Sequence, residues 1–305
     1  MLKIGVMGLG NIAQKAYLPT MAGTQTDVEW HLTTRNEEKG QALAAQYGFT
    51  HVHQTLAQLL AVKPDAVFVH TPTSTHEAII RTLLEAGIHV YVDKPVATDM
   101  AVVRGLYALA EAKGLLLTCG FNRRFAPNNE RLKAVAGKQT ITSEKTRTHT
   151  LQDATFAVWD LMIHSVDTAL WLMDEPVQAQ RGRLVRDEAG NLRQGYLTVS
   201  GATSQVQVIT NMDACANLEV VTVQGADVRR TSTDVLQLTE NTTAGMTITH
   251  RPDWEPMLET RGFAPLTRAF LAAVRTGGEN PVSPASAIAS HQACAMLVTG
   301  NNEVR

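Results

Sequence analysis

A glycine-rich turn near the start of the chain constrains the fold more than any other segment. The residues Gly8-Leu9-Gly10-Asn11-Ile12-Ala13 follow a short apolar strand and begin a helix. Gly8 permits a tight turn, and Gly10 allows close approach of a pyrophosphate. The N–H groups at the helix start, those of Asn11 and Ile12, can bind the anion. This context predicts a dinucleotide site; the alternative is a glycine turn that binds no ligand.

Strands and helices alternate as far as Cys119. The apolar strands are predicted over Leu2–Met7, Val28–Thr33, Asp65–His70, Ile88–Val92 and Leu115–Cys119. Helices separate them, which is the order of a doubly wound parallel sheet. From about Arg181 to His250 short alternating strands follow one another, and two helices close the chain. We predict an α/β protein with a Rossmann domain over residues 1–121 and an α+β domain over residues 122–305, built on a largely antiparallel sheet.

The composition excludes several classes of protein. The 305 residues carry a net charge of −2 and are 44% hydrophobic, so no strong field draws the chain to nucleic acid. No apolar run is long enough to span a membrane, and no signal peptide is expected. Three widely separated cysteines without a CxxC pair favour a reduced cytoplasm over a disulfide framework or a zinc ribbon. The sequence also has none of the GxSxG, HExxH and GxxxxGK[ST] motifs, which disfavours hydrolase, zinc-protease and P-loop functions.

The end of the second predicted strand bears on the choice of cofactor. Enzymes that use NAD usually have an acidic residue there, to bind the ribose hydroxyls. Here Thr34 and Arg35 follow the strand, and no acid occurs before Glu37. Thr34 can hydrogen-bond a 2′-phosphate and Arg35 can pair with it, so NADP is favoured over NAD. The alternative is that Arg35 is a solvated residue at a helix start.

Two loops after later strands are expected to reach the same ligand. Lys94 ends the run Val90-Tyr91-Val92-Asp93-Lys94-Pro95, and its ammonium can orient a substrate hydroxyl or stabilise developing negative charge. The loop containing Thr71, Pro72 and His76 follows the Asp65–His70 strand, where the nicotinamide half of a cofactor is expected. The alternative for Lys94 is ordinary surface charge.

A second group of chemical residues lies in the other predicted domain. Asp160, His164 and Asp167 share one face of a predicted helix. Asp160 can fix the tautomer of His164, which then exchanges a proton with substrate. The alternative is an exposed helix edge that happens to be polar. Asn122 and Arg124 mark the crossing into this domain and are candidate substrate contacts.

Two histidines near the second strand raise the question of a metal. His51 and His53 are two residues apart in a strand-like segment. No carboxylate or third ligand is close to them in the sequence. We therefore interpret both as solvated residues at an edge and predict no metal site.

On these residues the chain resembles the Gfo/Idh/MocA oxidoreductase family, and within it the MviM type, whose members are named as virulence factors. The family's motifs match the Gly8 to Ala13 turn, the Thr71-Pro72 and His76 segment, Asp93-Lys94-Pro95, and the Asp160 and His164 helix. Asp93 stands where the family has Glu, a change that bears on its contact with the nicotinamide ribose. Thr34-Arg35 in place of an acid weakens the inference of NAD use.

The resemblance implies an open-faced second sheet that often forms an oligomer interface, hence a homo-oligomer, a dimer or a tetramer. It also implies that Lys94 and His164 act at the substrate with support from Asp160. The resulting hypothesis is hydride transfer between NADP, or else NAD, and a secondary alcohol or carbonyl of a small polar substrate such as a sugar, an inositol or another polyol. Two alternatives stay open: a regulator that binds the cofactor without turnover, and a cofactor-assisted lyase or glycosidase.

Overall fold

The computed structural model describes residues 1–300 and 303–304, which form two units. The first unit contains Met1–Gly120 together with Phe263–Pro284. The second contains Phe121–Gly262 and the chain from Ala285 onward. No helix in the described ranges is both long and apolar enough to cross a lipid bilayer.

The first unit is built on a parallel sheet of six strands. The strands are β1 (Leu2–Met7), β2 (Val28–Thr33), β3 (His51–His53), β4 (Ala66–Val69), β5 (His89–Val92) and β6 (Leu117–Cys119). Their order across the sheet is β3-β2-β1-β4-β5-β6. This is the doubly wound order, and it confirms the predicted Rossmann fold. The edge strand β3 is additional to the five strands predicted from the sequence.

The helices of the first unit are α1 (Leu18–Ala22), preceded by a π-helical turn over Ala13–Tyr17, α2 (Glu37–Tyr47), α3 (Leu56–Ala61), α4 (His76–Glu85), α5 (Met100–Ala112) and α10 (Phe263–Thr276). Three of them, α2, α3 and α5, begin at a residue whose side chain caps the helix. At the start of α2, the side chain of Asn36 accepts a hydrogen bond from the amide of Lys39 at 2.9 Å. Gly48 ends the same helix at a φ of 77°, which a residue with a side chain rarely adopts. These caps fix the loops on either side of α2.

Helix α10 completes the core of the first unit, although its sequence lies in the predicted second domain. The ring of Phe68 stacks on Tyr91 at 4.6 Å, and Phe270 of α10 packs edge-on against both rings, at 5.3 and 5.5 Å. Beyond α10, Asn280 donates to the carbonyl oxygen of Leu117 at 2.7 Å. Residues 263–284 therefore belong to the first unit and not to a continuous 122–305 domain, because their apolar face fills a gap beside β4 and β5.

The second unit is built on a mostly antiparallel sheet of nine strands. The strands are β7 (Thr140–Thr148), β8 (Ala179–Arg186), β9 (Leu192–Ser200), β10 (Gln205–Ala214), β11 (Glu219–Gln224), β12 (Arg229–Thr233), β13 (Gln237–Thr242), β14 (Gly245–His250) and β15 (Glu303–Val304). The order is β14-β13-β12-β11-β7-β10-β9-β8-β15, and β7 and β10 form the parallel pair. The largely antiparallel sheet predicted for this part of the chain is confirmed.

One face of this sheet is covered and the other is not. The helices of the unit are α6 (Pro127–Lys133), α7 (Ala154–Ala157), α8 (Ile163–Leu172), α9 (Met257–Thr260) and α11 (Pro284–Thr299). Along β10, Val206 and Val208 are buried while Gln205 and Gln207 are exposed. This alternation means that one face packs on the core and the other faces solvent.

Candidate active site

The glycine turn holds the ends of three strands together. Gly8 has a φ of 95°, and a Cβ placed on it would lie 2.9 Å from the backbone of His70 and Thr71. Its amide donates to the carbonyl oxygen of Thr33 at 3.0 Å. Any side chain at this position would push β1 away from the loop after β4, so only glycine fits.

Gly10 has open space around it, in contrast to Gly8. The nearest atom to a Cβ built on Gly10 is the carbonyl oxygen of His70, at 4.0 Å. The amide of Gln14 donates to the carbonyl oxygen of Gly10 at 3.1 Å, so the helical hydrogen bonds begin here and the amides of Asn11, Ile12 and Ala13 have no partner within the helix. A backbone cradle with unfilled space at a helix N-terminus suits a pyrophosphate, and the residues present fit a dinucleotide cofactor.

The loop after β2 presents a cation without a carboxylate. Arg35 is exposed, and its guanidinium has no ion-pair partner among the described residues. Thr34 is partly exposed, and its hydroxyl oxygen accepts from the amide of Asn36 at 3.4 Å. The first acid, Glu37, is bonded to the side chain of Gln54 at 2.5 Å. The loop thus offers a positive charge and a hydroxyl where an NAD-specific site offers an acid.

His76 joins the loops after β4 and β5. It is buried, and its two ring nitrogens lie 2.9 Å from the carbonyl oxygens of Thr71 and Pro95. A neutral imidazole donates to one of these oxygens, and an imidazolium donates to both. Thr71, Pro72 and the segment around Lys94 therefore keep a fixed spacing. The contacts of His76 in the structure are thus with these two loops of the protein.

Asp93 is anchored by two tyrosines that sequence reasoning missed. The Tyr17 hydroxyl donates to Oδ1 of Asp93 at 3.2 Å and lies 3.0 Å from the Tyr91 hydroxyl. Burial raises the pKa of Asp93, and the positive charge of Lys94 partly offsets this. Burial likewise raises the pKa of Tyr17 well above its ordinary value, so Tyr17 is a hydrogen-bond donor at neutral pH. The residue that follows, Lys94, is partly exposed and precedes a cis peptide bond to Pro95.

All of these loops follow the carboxyl ends of parallel strands, so they lie along one edge of the first sheet. The glycine turn follows β1, Thr34 and Arg35 follow β2, and Lys94 follows β5. In open α/β sheets this edge is where ligands bind. The first unit therefore brings together the pyrophosphate cradle, the cationic loop and the strand-end lysine that the sequence predicts.

In the second unit, the predicted acid and histidine occupy one continuous helical segment. Asp160 lies in a π-helical turn, Val158–Met162, and is exposed. His164 is partly buried and lies in the first turn of α8. π-Helical turns of this kind are frequent at functional sites. The spacing of four residues keeps the two side chains on neighbouring positions of the helix surface.

Asp167 does not share the polar stripe predicted for Asp160 and His164. It is buried, and its carboxylate accepts two hydrogen bonds from Arg124, at 2.9 and 2.5 Å, and a third from Ser290 at 2.8 Å. Burial raises the pKa of Asp167, while Arg124 and Ser290 lower it in part. Arg124 is itself buried and occupied by this bidentate pair, which argues against the predicted substrate contact for Arg124.

The other polar residues of this turn are also buried. The side-chain amide of Asn122 donates to the carbonyl oxygen of Arg261 at 2.7 Å. Arg123 pairs with Glu219 at 2.6 Å, and Lys145 pairs with the same carboxylate. Burial lowers the pKa of Lys145 to about 8, and the two cations hold the pKa of Glu219 well below its usual range despite burial. This turn joins parts of the second unit to one another.

His51 and His53 are not the isolated solvated residues that the sequence predicts. Parallel pairing of β2 with β3 brings Glu29 and His31 beside them, so a carboxylate and a third imidazole are close. The sequence alone does not reveal this proximity, because the two pairs lie about 20 residues apart and β3 was not predicted as a strand of the sheet.

Comparisons with known proteins agree with this architecture. Residues 2–121 match the model of an oxidoreductase family with an NAD-binding Rossmann fold, and residues 121–242 match a YceM-like C-terminal domain. YceM of Salmonella typhimurium, which is named as an oxidoreductase, is 35% identical over 92% of this chain and 94% of its own length. The dehydrogenase MviM of Clostridium difficile superposes with a TM-score of 0.91 at 27% identity, over 98% of this chain and 99% of its own.

More distant relatives match parts of the chain. D-glucoside 3-dehydrogenase of Escherichia coli is 31% identical over 43% of this chain and 38% of its own length. Others are named as sugar and inositol dehydrogenases. The fold, the nucleotide turn and these matches together show that the chain belongs to the Gfo/Idh/MocA family of nicotinamide-dependent oxidoreductases, with a YceM-like second domain.

Proposed function

We propose that the protein transfers hydride reversibly between NADP(H) and a secondary alcohol or carbonyl group of a small polar substrate, a sugar, an inositol or another polyol. The observation that carries this proposal is the alignment of the glycine turn, the Arg35 loop and Lys94 on one edge of the first sheet. The relatives named as sugar and inositol dehydrogenases support the class of substrate.

The proposed cofactor preference follows from the loop after β2. Arg35 pairs with a 2′-phosphate, and the Thr34 hydroxyl donates to it. The loop residues Thr34, Arg35 and Asn36 include no carboxylate, and the first acid, Glu37, belongs to α2 and bonds to the side chain of Gln54. NAD is the alternative cofactor, and the same pyrophosphate cradle serves it.

The catalytic roles are assigned by chemistry. The bound nicotinamide supplies the hydride acceptor or donor. The ammonium of Lys94 donates a hydrogen bond to the substrate oxygen and stabilises negative charge that develops on it. His164 accepts the hydroxyl proton, and Asp160 orients its imidazole. Asp93, anchored by Tyr17, positions the backbone that carries Lys94 and contacts the nicotinamide ribose.

The proposal extends to the location and the oligomeric state of the protein. We place the protein in the cytoplasm, since its three cysteines are free thiols. We also propose a homo-oligomer, a dimer or a tetramer, in which the uncovered face of the second sheet forms the interface. Light scattering coupled to size-exclusion chromatography gives the oligomer mass directly, and a monomer at micromolar concentration would contradict this part.

The test is a screen of sugars, inositols and other polyols with NADP⁺ and NAD⁺, followed by absorbance at 340 nm. A substrate that reduces NADP⁺ then allows comparison of the wild type with Lys94→Ala and His164→Ala. Each variant should lose about 10²-fold or more in kcat, a typical contribution of one acid–base or electrostatic group. NADPH binding should change less than about twofold.

Matched controls separate chemistry from folding. Lys113→Ala removes an exposed lysine of the first unit, and His250→Ala an exposed histidine of the second. Both should keep wild-type turnover. A Lys94→Ala enzyme with full activity would refute the role of Lys94. Binding of NADPH without any turnover across the screen would instead favour a cofactor-binding regulator, and product formation without net change at 340 nm would favour a lyase or glycosidase.

A further inference from the structure

Four side chains gather at the free edge of the first sheet, outside the proposed active site. Glu29 and His31 are two residues apart on β2, and His51 and His53 are two residues apart on β3. His31 pairs with His51 in the parallel register. Because alternate residues of a strand point to the same face, all four side chains lie on one face of the sheet. We refer to Glu29, His31, His51 and His53 as the histidine cluster.

Three members of the cluster present ligand atoms to a common point. Nε2 of His31 lies 2.8 Å from Oε1 of Glu29, and Nε2 of His51 lies 3.8 Å from the same oxygen. One ligand atom from each of the three residues lies within 4.8 Å of the other two. Two ligands on a tetrahedral zinc ion are about 3.4 Å apart, since each lies about 2.1 Å from the metal. Small side-chain rotations therefore suffice to place an ion among them.

The fourth member, His53, supports the others. Its Nε2 lies 3.0 Å from Nδ1 of His31. A histidine that binds a metal through Nε2 usually donates its Nδ1–H to a neighbouring acceptor, which fixes the ring and raises its basicity. Neutral His53 can act as this acceptor once its proton is on Nδ1. Metal binding then leaves one proton on His31 and one on His53. It only reverses the hydrogen bond between them, so that His31 becomes the donor and His53 the acceptor.

Ring stacking also holds the cluster in place before any ion binds. The ring of His31 is stacked on that of His53, with the centroids 5.2 Å apart. The imidazole rings of His31 and His51 are stacked 4.5 Å apart, so their orientations are already restricted.

Access to the cluster comes from solvent on one side. The side chains of His51 and Glu29 are 43% and 28% exposed, whereas that of His31 is 4% exposed. Glu29 and His51 line a surface pocket of about 260 Å³, which has room for water as a further ligand. Among the described residues, Glu29, His31 and His51 are the one group of three or more histidine, cysteine or acidic side chains whose ligand atoms all lie this close together.

We propose that Glu29, His31 and His51 bind one divalent transition-metal ion of the zinc type, with His53 as the hydrogen-bond partner that orients His31. Imidazole nitrogen with a carboxylate oxygen is a donor set that zinc prefers. The ion links β2 to the edge strand β3 and so secures the edge of the sheet. The amide of Thr34 donates to the carbonyl oxygen of His53 at 3.0 Å, so the Arg35 loop begins beside this edge.

The test uses the full-length, tag-free protein after treatment with a chelator. Isothermal titration with ZnCl₂ should give one site per chain, and CoCl₂ should produce the visible absorption of tetrahedral cobalt. Zinc should also raise the melting temperature of the wild type, because a ligand of the folded state stabilises it. These readouts do not depend on enzymatic activity.

Variants assign the site to the cluster. His51→Ala should weaken zinc binding at least about tenfold and abolish the cobalt spectrum, and His53→Ala should weaken it about 10- to 100-fold, as expected for loss of an outer hydrogen bond. His149→Asn is the matched control, since His149 also pairs with a carboxylate, Asp213, but without further imidazoles. This control should bind zinc as the wild type does. His51 is 43% exposed, so its loss should leave the fold intact, which circular dichroism verifies.

Two results would overturn the proposal. One is the absence of a stoichiometric zinc site in the wild type, with no rise in melting temperature. The other is equal zinc affinity of His51→Ala and the wild type, which would place the ion elsewhere on the protein.

Discussion

Replacement of Arg35 by alanine tests the proposed contact with the 2′-phosphate through the Kd values for NADPH and NADH. Arg35 is exposed, so its ion pair with a phosphate would form in a medium close to water. Hydrogen bonds to charged groups contribute about 1.5–3 kcal/mol, and exposed pairs fall at or below the lower end of this range. We take about 1.4 kcal/mol, which corresponds to about a tenfold rise in the Kd for NADPH.

The assay is a fluorescence titration of the protein with NADPH and, in parallel, with NADH. Arg35→Ala should weaken NADPH binding about tenfold and change NADH binding less than about twofold, since NADH has no 2′-phosphate. The difference should shrink at high salt, because salt screens exposed charges. Arg104→Ala, which removes an exposed arginine on α5, is the control and should affect neither cofactor.

A second substitution strengthens the test. Thr34→Asp combined with Arg35→Ala replaces a donor with a carboxylate that repels the phosphate. The double variant should therefore prefer NADH over NADPH. Equal weakening of both cofactors by Arg35→Ala, or an unaltered NADPH preference in the double variant, would refute the proposed role of this loop.

Three further predictions concern stability. Phe270→Ala should reduce the free energy of unfolding of the first unit by about 3–5 kcal/mol, because the ring packs on Phe68 in a fully buried core. Urea denaturation measures this loss, and a value below about 1 kcal/mol would contradict the assignment of α10 to that core. Arg124→Ala should reduce the free energy of unfolding by about 3–5 kcal/mol, because it leaves the buried Asp167 carboxylate without its cation. The double change Arg124→Met with Asp167→Leu should recover most of this loss in the same denaturation experiment, because no charge is then left buried. No recovery would show that the pair does more than neutralise a charge. Burial lowers the pKa of His291 to about 4 from 6.5, so the unfolded chain binds the extra proton and stability should fall by up to about 1.4 kcal/mol per pH unit as the pH drops below 6.5. Denaturation curves between pH 7 and about pH 5 should show this slope, and His291→Gln should make it shallower; an identical slope in the variant would exclude His291 as its source.

The alternation of apolar strands and helices was sufficient to predict five of the six strands of the first sheet, because central strands such as β4 are buried on both faces. The glycine turn was also predictable, because it lies between a strand and a helix and the tight turn there requires glycine at position 8. The antiparallel character of the second sheet followed from the alternation of buried and exposed residues along strands such as β10.

Contacts between distant segments were not predictable from the sequence. Asp167 was expected beside His164 on a polar stripe, but its partner Arg124 lies 43 residues away, and helical spacing carries no information on that pairing. Lys145 and Glu219 meet because β7 pairs with β11. The histidine cluster likewise depends on the register of β2 against β3. In each case the partner of a charged or titratable side chain lies on a distant segment, and no local sequence pattern reveals which segment that is.

The position of α10 has a consequence for biosynthesis. The chain leaves the first unit after Gly120 and returns at Phe263, so the whole intervening segment emerges from the ribosome before Phe270 can reach Phe68 and Tyr91. Until then the nascent Rossmann half exposes an aromatic surface to the cell. A gene fragment that stops at the end of β6 would keep every residue of the glycine turn, yet its product would lack part of its core and be prone to aggregate.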